Sequence, residues 1–143
     1  MNVKVVITDE HPEEVVIYSR EKTALIEKIE QLISEEEFEL IGYKDREGIR
    51  LLLSDVYCFT VEANKIYAIT ENDKLYLRCR LYNLAESLPD NFIKINQSAI
   101  ANIQKIRKFD ASVLGSLTVE FKNGYRDYVS RRNIKKVKER LGL

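Results

Sequence analysis

The chain is poor in the residues from which most enzyme and metal sites are built. It has one histidine, His11, two cysteines, Cys58 and Cys79, and five scattered glycines in 143 residues. His11 sits in the acidic turn Asp9-Glu10-His11-Pro12, with no cysteine or histidine at ligand spacing. That argues against a metal centre and against Ser-His-Asp or Cys-His nucleophilic chemistry. Scattered glycines make no phosphate-cradling loop. Neighbouring carboxylates such as Glu13-Glu14 and Glu35-Glu36-Glu37 fall in turns or at helix ends, where they read as solvated faces rather than acid–base pairs. The sequence therefore predicts no enzyme, no cofactor and no small-molecule substrate. The two cysteines lie far apart among apolar residues in expected strands, so they read as buried free thiols. No apolar run approaches the roughly 20 residues of a membrane helix. The start, Met1-Asn2-Val3-Lys4, is followed by acidic residues instead of the pattern of a secretory leader, and a cytoplasmic protein is expected.

What is present is a globular composition, 45% hydrophobic and 32% charged, in a length that can bury a core without disulfides. The formal net charge of zero conceals a division. Residues 1–50 hold 7 basic and 13 acidic side chains, whereas residues 101–143 hold 11 basic and 4 acidic. Such a split points to one part that faces a polyanion and another that avoids it.

The apolar pattern changes period along the chain. Val3–Ile7 and Val15–Tyr18 read as short strands around a Pro12 turn. Leu25, Ile26, Ile29, Leu32 and Ile33 then recur at helical spacing. Residues 1–37 are thus expected to form a small α/β cap. From Phe38 onward the pattern is mostly that of strands. Runs at 38–43, 49–53, 56–61, 66–70 and 74–79 are separated by polar turns. A short helix at 82–87 stops at Pro89, and Phe92–Ile95 is a brief strand. Phe109 to Gly115 reads as loop. Two more strands flank Asn123-Gly124, a strong hairpin signal, and a final helix runs through Leu141. The expected fold class is mainly β with short helices, in two parts: residues 1–37 and residues 38–143.

Three polar clusters fall at junctions between these elements. They are Ala63-Asn64-Lys65, Lys94-Ile95-Asn96-Gln97-Ser98, and Ser130-Arg131-Arg132-Asn133 followed by Lys135. Amide side chains can read adenine edges, and arginine can read guanine bidentately. Lysine, serine and backbone amides near a helix start grip phosphates. The simpler account of Asn96-Gln97-Ser98 is a turn that satisfies its own backbone. For Arg131 and Arg132 it is a solvated helix start, although cations there oppose the helix dipole.

At Asp55–Phe59, Asn64–Ala68, Leu84–Pro89, Phe92–Ile103 and Tyr128–Val137 the chain resembles the LytTR family of bacterial DNA-binding domains. The resemblance covers roughly the last 105 residues. It implies an elongated antiparallel β fold whose loops, not a recognition helix, enter successive major grooves of double-stranded DNA. Carried over by position, Asn96, Gln97 and Arg132 fall at the family's base-reading sites. Ser130, Asn133 and Lys135 fall at phosphate-gripping positions, and Lys65 falls near the first contact loop. Lys94, Ser98 and Arg131 complete the candidate DNA-binding set. Where the family often has histidine followed by arginine, lysine or asparagine, this chain has two neutral amides, Asn96 and Gln97. Residues 1–37 are too short for the receiver domain often joined to such modules, so the chain resembles the stand-alone branch. Members of that branch are often encoded with an inhibitory membrane protein. The apolar helix in residues 1–37 suggests a homodimer. The competing function is a protein-interaction module, or an antagonist that sequesters a related regulator without touching DNA.

Overall fold

The computed structural model describes residues 1–37, 40–112 and 115–142. Its organising strand is β3 (Cys58–Glu62), which lies inside the larger sheet and is covered on both faces. Successive side chains of a strand point to opposite faces. Accordingly Cys58 packs in one core cluster, and its neighbour Phe59 packs in the other. Antiparallel partners extend the sheet on both sides. They are β1 (Leu40–Lys44), β2 (Glu47–Leu51), β4 (Lys65–Ile69), β5 (Lys74–Leu77), β6 (Phe92–Asn96) and β7 (Ala99–Asn102), in the order β2-β1-β5-β4-β3-β7-β6.

Two sets of elements cover this sheet. On the Phe59 face the helix α2 (Leu81–Ser87) seats Leu84 against Leu53, Leu75, Leu77 and Ile100. On the Cys58 face lies a second sheet, β10-β9-β8, built from β8 (Ile106–Ala111), β9 (Leu117–Phe121) and β10 (Arg126–Val129). Leu117, Val119 and Phe121 of β9 alternate inward to meet Ile93, Ile95 and Ala101. The final helix α3 (Arg131–Leu141) closes this core with Val137, which is fully buried, and with Ile134 and Leu141 at its margin. Gly142 ends the helix at φ 76°, a left-handed cap that glycine adopts without a Cβ penalty. Asn102 is buried, donates to the Val56 carbonyl and accepts from the Gln104 amide, which fixes the exit from β7.

The mainly antiparallel β architecture agrees with expectation, with three corrections. Residues 1–23 contain no strand. Val3, Ile7 and Tyr18 are 82%, 94% and 94% exposed, so the expected α/β cap is an extended arm leading into the helix α1 (Ala24–Glu37). A two-stranded ribbon is marginal alone, and among the described residues most of the arm's apolar side chains stay exposed. The helix begins where the Thr23 hydroxyl accepts from the Ile26 amide, later than the start signals at Ser19 to Lys22 suggested. Phe38 and Glu39, the expected start of the first strand, lie outside the described residues, as do Val113 and Leu114 of the expected loop. Second, β8 takes the first three residues of that loop, Phe109 to Ala111. Its residues beyond Ile106 are exposed, so no inward alternation marked it as a strand. Third, Cys58 is buried, but Cys79 is only half-buried; both are free thiols, and burial raises both pKa values.

Candidate nucleic-acid interface

The three polar junctions meet at one edge of the molecule because backbone bonds tie them together. The β3–β4 turn is made by Ala63 and Asn64, both at positive φ (50° and 63°). Two consecutive left-handed residues match the tight hairpin turn that follows strand twist. Beside it, the Val61 amide donates to the Ser98 carbonyl at 2.8 Å, joining the β6–β7 turn to the end of β3. On the far side the Ser130 amide donates to the Ile95 carbonyl at 2.8 Å, which docks the start of α3 on the end of β6.

Lys65, Gln97, Ser98, Arg131, Arg132 and Lys135 are exposed at or next to these junctions. The electrostatics of the edge come mainly from α3. Its eleven residues, RRNIKKVKERL, hold six basic side chains and one acidic. The Ser130 side chain makes no capping bond to the helix, so the dipole at the N-terminus and the two arginines both present positive charge outward. Asn133 donates from its side chain to the Ser130 hydroxyl at 2.7 Å, and both residues are half-buried. Near the first turn, Lys65 lies 5.8 Å from the centre of the Tyr76 ring, and Lys74 pairs with Glu62.

Two of the expected contact residues stand apart. Lys94 is exposed on β6 between Ile93 and Ile95, which face α3, so alternation turns it to the opposite face of the sheet. Asn96 is 1% exposed and its amide is fully engaged. Its NH2 donates to the Tyr128 carbonyl at 2.9 Å and to Asp127 Oδ1 at 3.2 Å, and its oxygen accepts from the Ser98 amide at 2.8 Å. A side chain with these bonds has no free edge to offer a base, so Asn96 is removed from the base-reading set. Asp127 and Tyr125, its companions, were missed in the sequence. In strand alternation they read as ordinary polar and aromatic positions, and only the packing of β10 against β6 brings them to the junction. Tyr125 donates to Asp127 Oδ2 at 3.4 Å. Burial pushes the Tyr125 phenol up to about 12 and raises the Asp127 carboxyl.

The model of the LytTr DNA-binding domain family matches residues 47–142. The chain belongs to the LytTR family. Two proteins described as HTH-type transcriptional regulators of Staphylococcus aureus, from strains NCTC 8325 / PS 47 and MRSA252, are each 39% identical to this LytTR chain over 104 residues. Those residues cover 73% of this chain and 71% of each relative. Among solved structures, the LytTr DNA-binding domain of a methyl-accepting/DNA response regulator from Bacillus cereus matches the fold at TM-score 0.68 and 22% identity, covering 73% of this chain and 97% of that one. Family and relatives together support DNA-binding transcription regulation; LytTR is a family of DNA-binding regulator domains and not of enzymes. Among the described residues no helix directly follows another, so the helix-turn-helix in the relatives' description has no counterpart in these elements. None of the helices described is long and apolar enough to cross a membrane.

Proposed function

We propose that this LytTR chain is a sequence-specific transcription regulator that reads double-stranded DNA with loops laid into the major groove. In this reading Gln97 and Arg132 contact base edges. Gln97 suits adenine and Arg132 suits guanine. Lys65, Ser98, Ser130, Arg131, Asn133 and Lys135 hold phosphates, and Lys94 reaches the backbone only from the side of the sheet. The observation that carries the proposal is the hydrogen-bonded contiguity of three separate junctions, with Gln97 and Arg132 exposed beside one another's elements. Two such edges in a homodimer would read repeated half-sites. Support for the dimer comes from the N-terminal part. Ten of the sixteen large apolar side chains found exposed among the described residues lie between Met1 and Leu32. Apolar surface of that extent marks an interaction face.

The test is selection of bound duplexes from a random pool, followed by mobility shifts at two salt concentrations. The proposal expects a defined motif and affinity that falls steeply with salt. Salt-steep binding with no motif would reject sequence reading. No binding at either salt would favour the competing role of a protein-interaction module.

A further inference from the structure

We propose that Asn96 and Asp127 are positioning residues that fix the spacing between Gln97 and Arg132, and so set which base pairs the two side chains read together. The inference rests on the DNA-reading proposal and adds to it two residues that touch no base. The turn holding Gln97 belongs to the larger sheet, and the helix start holding Arg132 follows β10 of the smaller one. Among the described residues the direct backbone link between them is one bond, Ser130 amide to Ile95 carbonyl. The turn is tied to β3 by the Val61 amide and the Ser98 carbonyl, but one backbone bond leaves its angle to β10 and the helix start loosely set.

The Asn96 amide removes that freedom. It grips its own turn through the Ser98 amide, and it grips β10 through the Tyr128 carbonyl and the Asp127 carboxylate. Asp127 in turn is held on three sides: its Oδ1 accepts from the Tyr128 amide at 2.8 Å as well as from Asn96, and its Oδ2 accepts from the Tyr125 hydroxyl. Removing either member leaves half-buried donors and acceptors without partners, and the turn shifts to find water. A displacement of the turn costs base reading more than phosphate contact, because base contacts are bidentate and directional while phosphate contacts are not.

The experiment uses the full chain and a duplex selected by the wild-type protein, with each base pair varied in turn. Gln97→Ala locates the base pair that Gln97 reads. Asn96→Ala and Asp127→Ala are expected to lower discrimination at that same base pair by about tenfold, with the salt slope kept. Asp127→Asn retains an oxygen acceptor and is expected to restore discrimination. Circular dichroism confirms that each variant is folded at the assay temperature; if Asn96→Ala does not fold, the contrast between Asp127→Ala and Asp127→Asn decides. Wild-type base preference in both alanine variants overturns the inference while leaving the DNA-reading proposal intact. A uniform loss across all sequences also overturns it, since that is the signature of general destabilisation. A wild-type protein that selects no motif overturns the DNA-reading proposal itself, and this inference with it.

Discussion

Arg132 and Lys135 sit one helical turn apart on α3, yet they should fail in different ways. Replacing Arg132 with alanine is expected to cost about 1–3 kcal/mol of specific binding and to relax preference at one base pair. Replacing Lys135 with alanine should weaken all sequences alike and reduce the salt slope by about 1. Equilibrium shifts on a panel of single-base variants separate the two patterns; identical behaviour would show that neither role is assigned correctly. Asp127 makes a second residue-scale prediction. Burial raises its carboxyl above the ordinary value of 3.8, so the folded chain holds that proton to higher pH than the unfolded chain does. Its contribution to stability is therefore full below about pH 4 and declines as pH rises through the raised value. Against Asp127→Asn, the wild type should lose relative stability between pH 4 and pH 7 in denaturant titrations. A constant difference across that range would show that the carboxyl is not shifted. At this scale the sequence displayed the exposed polar residues of the three junctions well, because Gln97, Arg131 and Arg132 stand in turn-like and helix-start patterns. It could not separate Asn96 from Gln97, since both are amides in one turn. Only the neighbouring strand, 31 residues away, determines which of them is buried.

Among the elements, α3 combines two demands. Six cations on eleven residues repel one another, so the helix depends on its apolar stripe for anchoring. Val137 is the centre of that stripe and is wholly buried. Val137→Ala should destabilise the fold by about 2 kcal/mol through lost burial and the cavity left behind. The change should also reduce DNA affinity by loosening the helix start. Thermal unfolding with and without a bound duplex tests both effects, and an unchanged melting temperature would contradict this view of the anchor. The sequence made α3, α2 and the hairpin strands readable because each has a clean period or a strong turn. It concealed β8, whose side chains beyond Ile106 face water on one sheet edge and so show no alternation to follow.

For the molecule as a whole, the N-terminal arm is the part that carries most of the exposed apolar surface among the described residues. Val3, Val5, Val6 and Ile7 have the residue types of a strand, but in one copy they lie 64–94% exposed. Deleting residues 1–23 should leave the sheets folded and convert the proposed dimer to a monomer, as read by light scattering. A truncated chain with the mass of the full-length assembly would place the dimer contact elsewhere. Composition announced this part as distinct, through its acidic balance, but period-2 patterning alone could not say whether its apolar runs find a strand partner within the chain, and in the described structure residues 1–23 form none. The double covering of β3 has a consequence of another kind. Amide hydrogens at Cys58, Phe59 and Thr60 sit in a ladder with neighbours on both sides and cores above and below. Their exchange with deuterium is expected to require global opening, and the exposed arm is expected to exchange far faster. The slowest amides of β3 therefore act as an internal gauge of total stability, against which a duplex, a partner or a substitution can be read in a single spectrum.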